Sequence, residues 1–352
     1  MKIPEKNRPE TISVDAMGGD YGPCVTVPAA LKSLATHPGL NIILVGDEVV
    51  LQNEIRKHKS SSGFKERLSI KHASEVVTME DKPSVAMRNK KDSSMRVAVN
   101  LVKEGLADAC VSAGNTGALM AISRFVLKTH KNIDRPAIIF NLPTTNGHCH
   151  MLDLGANIDC TPEQLFQFGL MGSILSKAVD GNPAPSVALL NIGEEEVKGN
   201  EVIKQAAELL TASDDINYIG FVEGTGIYQG ACDVVVADGF VGNVALKTSE
   251  GLAKMIAGIL KEELQRNWLT KIGALLTMPI WKAVAHRMDP GEYNGGTLIG
   301  LRGTVIKSHG SADISSFATA IKLASIEVEK DVPSLIEKWF DAENQLDVAE
   351  NQ

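Results

Sequence analysis

The chain contains no uncharged apolar run of about 18 residues, the length a membrane-spanning helix needs. Its opening stretch, Met1-Lys-Ile-Pro-Glu-Lys-Asn-Arg8, lacks the apolar core of a signal peptide, so a cytoplasmic protein is expected. Cysteine is sparse. Cys24, Cys110, Cys149, Cys160 and Cys232 are odd in number and form no C-x-x-C pair, so neither a disulfide framework nor a zinc knuckle is suggested and a reducing compartment fits. Positive charge is outweighed as well: 35 Lys and Arg against 43 Asp and Glu leave a net charge of -8. That balance argues against a broad nucleic-acid surface and requires an acidic partner to dock on a local basic patch. There is no G-x-x-x-x-G-K-[ST] run, no G-x-S-x-G elbow and no cysteine with an assignable neighbouring base. P-loop nucleotide hydrolysis and covalent nucleophilic catalysis therefore find no support. Cys110 and Cys232 sit in apolar runs and read as buried and inert. His148-Cys-His150 resembles a ligand cluster, but residues in a Thr-Thr-Asn-Gly turn do not readily converge on one ion; it reads as a surface loop, and neither metal nor cofactor is expected.

What is present is the composition of a soluble globular chain with a sizeable core: 352 residues, 44 % hydrophobic and 22 % charged, with 31 glycines. Apolar periodicity predicts strands over Thr11–Asp15, Asn41–Val45, Leu68–Lys71, Val76–Val77, the run from Ala109, Ala137–Phe140, Met151–Leu154, Val187–Asn191, Asn217–Val222 and Cys232–Ala237. Helices are predicted over Cys24–Ala35, Ser93–Lys103, Gly117–Lys128, Pro162–Ala178, Gly199–Leu210 and Asn243–Leu264. Such alternation implies an α/β protein with a mostly parallel sheet covered by helices on both faces. No repeat or linker divides it. The expected organisation is a flexible tail over 1–10, one α/β/α unit over 11–340 with a helical segment at about 255–290, and a C-terminal tail over 341–352.

The centre of the pattern is Ala109-Cys-Val-Ser-Ala-Gly-Asn-Thr-Gly-Ala-Leu-Met120, which reads as a buried strand, a tight glycine loop and a helix start. Gly114 and Gly117 permit close backbone approach, Thr116 can cap the helix, and the helix N-terminus favours an anion. Similar loops recur at Asp15-Ala-Met-Gly-Gly-Asp20, Asp153-Leu-Gly-Ala-Asn157, Asn191-Ile-Gly-Glu-Glu-Glu-Val-Lys-Gly-Asn200 and Asp238-Gly-Phe-Val-Gly-Asn243. If their strands are parallel neighbours, the loops share one edge of the sheet, where open α/β sheets bind ligands. Lys198 is then placed to meet phosphate or a developing oxyanion, or simply balances three glutamates; Asn243 either donates its amide to a carbonyl or caps a helix. Gly224-Thr-Gly-Ile-Tyr-Gln-Gly230 looks like a loosened dinucleotide fingerprint, but the next strand follows too soon for a crossover helix, and an irregular connection is expected.

The stretch from Asn267 to Met288 differs from the rest. Trp268, Leu269, Ile272, Leu275, Leu276 and Trp281 alternate with Lys271, Lys282, His286 and Arg287, just after Lys261 and Arg266. The pattern predicts amphipathic helical pieces broken by Pro279, serving as a packing or dimer-interface pair or as a membrane-surface contact.

The motifs Val14-Asp-Ala-Met-Gly-Gly-Asp-Tyr-Gly-Pro23, Lys90-Lys-Asp-Ser-Ser-Met95, Val111–Met120, Asp153–Asn157, Leu190–Gly199, Val236-Ala-Asp-Gly-Phe-Val-Gly-Asn-Val244 and Val305-Ile-Lys-Ser-His-Gly310 together resemble the PlsX family of acyl-acyl carrier protein:phosphate acyltransferases. The resemblance runs in order from residue 11 to residue 330, with departures in the N-terminal tail, at Asn146–His150, at Gly224–Gly230 and after Lys330. It implies an α/β/α homodimer with a fold like isocitrate and isopropylmalate dehydrogenases and phosphate acetyltransferases. The implied reaction is attack by inorganic phosphate on the thioester of an acyl-acyl carrier protein, giving acyl phosphate for phospholipid synthesis; peripheral contact with an anionic membrane and with the downstream glycerol-phosphate acyltransferase is a further expectation. Lys198 and Asn243 then become the catalytic pair. Asp15, Gly18, Gly19, Gly114, Asn115, Thr116, Gly117, Asn157, Asp238 and Gly239 become the substrate-binding set, with Lys307 and His309 added for phosphate or leaving-group protonation. Two other readings stay open: a phosphate acetyltransferase acting on acyl-coenzyme A, and a non-catalytic regulator that binds a phosphorylated ligand.

Overall fold

A computed structural model describes residues 9–288, 291 and 293–350, with the side chains of 60, 282, 285–288 and 343–350 outside that description. The expected tail over 1–10 thus falls almost entirely outside the described residues. Eleven strands form one sheet: β1 (Glu10–Asp15), β2 (Leu40–Gly46), β3 (Leu68–His72), β4 (Ala109–Ser112), β5 (Ala137–Thr144), β6 (Gly147–Leu152), β7 (Ser186–Leu190), β8 (Asn217–Val222), β9 (Val234–Val236), β10 (Gly296–Ile299) and β11 (Thr304–Lys307). The helices are α1 (Pro23–Thr36), α2 (Glu48–Arg56), α3 (Pro83–Asn89), α4 (Ser94–Lys103), α5 (Thr116–Leu127), α6 (Pro162–Val179), α7 (Glu201–Ala212), α8 (Gly224–Gln229), α9 (Gly239–Gln265), α10 (Trp268–Leu276), α11 (Met278–Met288), α12 (Ile314–Lys330) and α13 (Val332–Glu350).

Side chains that alternate along a strand feed opposite faces of a sheet, and here both faces are apolar. Cys110, Ile138, Met151, Val235 and Val305 join one core with α3, α4, α5, α8 and the start of α9. Their neighbours Ala109, Val111 and Ile306 pack with α1 and α12, while Ala137, Ile139, Leu152 and Val236 pack with α6, α7 and α13. This is the three-layer α/β/α arrangement. Burial on both faces explains why the strands read as continuous apolar runs rather than as alternation.

The strand order is β3-β2-β1-β4-β11-β10-β5-β6-β9-β7-β8, antiparallel only where β10 meets β11 and β5 and where β5 meets β6. The consequence corrects the single-edge expectation. The parallel set β6, β9, β7 and β8 runs opposite to the parallel set β3, β2, β1, β4 and β11, so the glycine loops emerge in two groups. One holds Asp15–Asp20, Ala113–Gly117 and Lys307–Gly310; the other holds Asp153–Asn157, Asn191–Asn200 and Asp238–Asn243.

Other expectations shift in detail. Val76–Val77 is not a strand, since Glu75 makes only an isolated bridge to Ser93. Gly224–Gly230 forms the short helix α8, ended by Gly230 in the left-handed conformation, rather than an irregular connection. The backbone of 341–350 continues α13 where a tail was expected. His148 and His150 lie in β6, not in a turn: the turn is shorter than the sequence suggested, and β5 and β6 extend towards it as a hairpin.

Candidate active site

The first group is built on the ends of three neighbouring strands, β1, β4 and β11. Asp15 ends β1, almost wholly buried, and accepts a 2.6 Å bond from Ser112 Oγ at the end of β4. Burial raises its carboxyl pKa, opposed first by the hydrogen bond from Ser112, and Oδ1 has no hydrogen-bond partner among the described residues. The chain can turn past this carboxyl only because position 18 has no side chain: a Cβ there would lie 2.6 Å from Asp15 Oδ2 and 2.9 Å from Gly114 N. Gly18, Gly19, Tyr21, Gly22, Ala113 and Gly310 line a small pocket beside it.

Asn115, not Thr116, is the N-cap of α5: its Oδ1 accepts the Ala118 N–H at 3.0 Å. The same amide donates to the carbonyls of Met79 (2.9 Å) and Asp81 (3.2 Å), so its polar atoms are committed to structure. By contrast, the N–H groups of Thr116 and Gly117, in the exposed first turn of α5, find no acceptor among the described residues. They leave an anion-attracting helix start.

Lys307 completes the group at the end of β11. It is 5 % exposed, and its Nζ lies 3.3 Å from the Ala113 carbonyl and also donates to that of Ser308. Burial, together with the nearby Lys247, lowers its pKa to about 8, against the opposite pull of Asp15 and Asp20. Two residues on, His309 uses Nδ1 as the acceptor of the Ser311 N–H at 3.2 Å and turns Nε2 towards Glu250, 3.9 Å away. Burial lowers its pKa, with Glu250 opposing. Asn294, which the sequence did not single out, fixes this loop: Oδ1 accepts the His309 N–H at 2.9 Å, and Nδ2 donates to Ser308 Oγ at 2.8 Å.

The second group is differently spent. Asn157 is buried and donates through Nδ2 to Pro136 O and Asp153 Oδ2, both at 2.9 Å. Asp153 also accepts from the backbone of Ile138, Ala156 and Asn157, so this pair is a structural latch. Asp238 is the N-cap of α9 through Val241 N (2.9 Å), and the Gly239 N–H is used by Asn157 O (2.8 Å). Lys198 and Asn243 are exposed, and among the described residues neither side chain has a hydrogen bond or ion pair. They follow paired strands, Lys198 in the loop after β7 and Asn243 in the helix after β9, and Asn243 lies against Gly155, 3.5 Å from the position of a Cβ there.

No hydrogen bond or ion pair among the described residues joins Lys198 or Asn243 to the Gly18 and Gly114 loops. The link is α9. It starts at Asp238 in the second group, and its Glu250 reaches His309 in the first, with Lys247 close enough to depress Lys307. Lys247 and Glu250, four and seven residues beyond Asn243, share its helix face; that spacing was the available signal for them.

Cys110, Cys149, Cys160 and Cys232 all have thiol pKa values pushed up by burial, so none of them supplies a thiolate at neutral pH. The helices beyond the site behave unlike the core. No residue of α10 is buried, and Trp268 and Leu276 are 69 % and 77 % exposed, beside exposed Leu269, Ile272 and Leu275. Lys271 is exposed and Trp281 half-buried, while the side chains of Lys282, His286 and Arg287 lie outside the described residues. No described helix is long and apolar enough to cross a membrane.

Against known proteins, the profile of a family described as "Fatty acid synthesis protein" matches residues 10–335. A phosphate acyltransferase of Methylococcus capsulatus is 60 % identical over 326 residues, covering 93 % of this chain and 95 % of that one. One from Nitrosococcus oceani is 59 % identical over 334 residues, covering 94 % and 97 %. Among solved structures, a phosphotransacetylase from Streptococcus pyogenes shares the fold at TM-score 0.59 and 18 % identity, covering 92 % of this chain and 94 % of that one. Glycine loops at strand ends, a buried lysine beside an open helix start and four cysteines held as thiols thus lie within a sequence match of nearly full length, and the chain belongs to the phosphate acyltransferase (PlsX) family, enzymes of acyl transfer to phosphate in fatty acid and phospholipid synthesis.

Proposed function

We propose that this enzyme transfers a fatty acyl group from acyl-acyl carrier protein to inorganic phosphate, releasing the carrier's thiol and an acyl phosphate. The observation that carries the reading is that buried Lys307 and the N–H groups of Thr116 and Gly117, which find no acceptor among the described residues, lie at or just past the ends of adjacent strands, two anion-favouring elements on one side of the sheet. Phosphate bound there through the Gly18, Gly19 and Gly114 loops needs no covalent enzyme intermediate. It is already a nucleophile at neutral pH, and a thiolate is a competent leaving group, so positioning and oxyanion stabilisation are the main demands. One phosphate oxygen forms the new bond to the acyl carbon, the carbon–sulfur bond breaks, and the thiolate takes a proton, for which His309 is the candidate in the first group. Lys198 and Asn243 are the donors for the thioester side, approached along α9 or supplied across a homodimer.

A fatty rather than acetyl substrate is favoured by the exposed apolar surface of α9, α10 and α11, which an acetyl group does not require. That surface, with Lys261, Arg266 and Lys271, suits a dimer partner or peripheral contact with an anionic membrane, from which acyl phosphate passes to a glycerol-phosphate acyltransferase. The deciding measurement is phosphate-dependent thiol release from long-chain acyl-acyl carrier protein compared with acyl-coenzyme A and acetyl-coenzyme A. Preference for the first supports the reading; preference for acetyl-coenzyme A replaces it, and no release from any thioester leaves a phospholigand-binding role.

A further inference from the structure

Two histidines on β6 and the residue that ends α6 meet on the sheet face covered by α6. His148 and His150 are two positions apart on a strand, so their rings leave the same face. Asp180 is the C-cap of α6. His148 Nε2 lies 3.1 Å from Asp180 Oδ1, and His150 Nε2 lies 2.6 Å from Asp180 Oδ2. One ligand atom from each of the three residues falls within 4.8 Å of the others, and the two rings stand edge to face at 5.0 Å. Ser176 Oγ, one turn back on α6, donates to the same Oδ2 at 2.9 Å and holds the carboxylate in place. The nearby Asp233 is already engaged by Ser186 N and Oγ, at 2.7 and 2.6 Å.

The arrangement has the donors of a transition-metal site. Two imidazole nitrogens and one carboxylate oxygen suit Zn²⁺, whereas Mg²⁺ and Ca²⁺ favour oxygen ligands throughout. Around a tetrahedral ion with bonds of about 2.0–2.2 Å, ligand atoms stand roughly 3.3–3.5 Å apart. The two imidazole-to-carboxylate spacings, 3.1 and 2.6 Å, are shorter than this, so both rings move outward from Asp180 to admit the ion. His150 is 2 % exposed, but the His148 and Asp180 side chains are 31 % and 25 % exposed, so one side opens to solvent and leaves room for a water as fourth ligand.

We propose that His148, His150 and Asp180 form a Zn²⁺ site that fastens the β5–β6 hairpin to the end of α6. The site lies at the start of β6, while the Asp153–Asn157 loop leaves the other end of that strand, so the ion is structural and takes no part in acyl transfer. Each histidine binds as neutral imidazole through Nε2, and any proton on that nitrogen passes to solvent.

The test uses the full-length protein, stripped with chelator and dialysed against Zn²⁺, with metal content measured by elemental analysis. The expected result is about one equivalent bound per chain, with visible absorption of tetrahedral type when Co²⁺ replaces Zn²⁺. His148→Ala and Asp180→Asn should each lower affinity by at least about tenfold and abolish the rise in melting temperature that Zn²⁺ gives the wild type. His148 is on the open side, so its variant retains the fold even if a change at buried His150 does not. Failure of the stripped wild type to take up Zn²⁺, or equal uptake by wild type, His148→Ala and Asp180→Asn, overturns the proposal.

Discussion

Ser112 Oγ donates to Asp15 Oδ2 across 2.6 Å, joining the ends of two parallel strands over a carboxyl group that is 1 % exposed. The bond decides how the first glycine loop is shaped, because Gly18 must pass within contact of the same oxygen. Ser112→Ala should cost about 1–3 kcal/mol by leaving a buried polar group short of a partner, measured by chemical denaturation. Gly18→Ala should raise the phosphate concentration needed for half-maximal rate by more than its loss of stability explains. Wild-type phosphate dependence in a folded Gly18→Ala protein would separate this loop from phosphate.

Lys307 supplies a pH dependence of definite sign. Its pKa falls from 10.5 when unfolded to about 8 in the folded protein, so the unfolded chain binds the proton more tightly between those values. The lysine's contribution to stability is therefore complete above 10.5 and is lost as pH falls through the window to about 8. Lys307→Met should remove that slope from denaturation midpoints compared across it. Bound phosphate favours the ammonium form, so apparent phosphate affinity in the wild type should decline as pH rises above about 8. An identical pH slope of stability in wild type and Lys307→Met would refute the assignment.

Lys198→Ala and Asn243→Ala should each lower turnover by about ten- to a thousandfold, the usual effect of losing one electrostatic donor. Both residues are exposed and free of side-chain bonds among the described residues, so melting temperatures should stay at the wild-type value. A folded variant with unaltered turnover removes that residue from the reaction.

Asn115→Ala combines two effects. Loss of the α5 cap should cost about 1 kcal/mol, and release of the Met79–Asp81 loop should loosen the first turn and raise the phosphate requirement. Steady-state titration of both substrates checks it. A change confined to the acyl donor would move the loop to the other substrate.

Leu275→Glu or Leu276→Glu should weaken salt-sensitive binding to anionic vesicles while leaving phosphate-dependent thiol release from a soluble donor intact. Flotation with vesicles and sedimentation of the same samples distinguish the outcomes. If the variants dissociate into monomers with vesicle binding per folded protein unchanged, α10 is an interface between copies.

Local chemistry made much of this protein legible. The apolar runs identified most strands of the two parallel sets because both sheet faces are buried, and α6 starts at Pro162 as expected, where Thr161 forms a capping box. Glycine in the Asp15–Asp20 and Ala113–Gly117 loops announced close backbone approach, and contacts under 3 Å to a hypothetical Cβ at Gly18 and Gly114 are its physical reason. The buried strands β10 and β11 were missed because four residues each, without periodic flanks, carry too little pattern.

What the chain alone determined is that most strands of the two parallel sets are buried apolar runs, that glycine lets the Asp15–Asp20 and Ala113–Gly117 turns pack closely, and that Cys110 and Cys232 are buried; these follow from side-chain size, backbone freedom and polarity within a few residues. Only the tertiary structure decided the direction of each strand. The insertion of β10 and the β5–β6 hairpin reverses half the sheet, so loops that look alike in sequence form two groups and α9 has to link them. The β5–β6 hairpin turned His148 and His150 from a supposed turn into one strand face, and the packing of α6 on that face set it opposite Asp180, 30 residues away from His150. Register and strand direction arise from hydrogen bonds between segments distant in the chain, and no local pattern of residues encodes them.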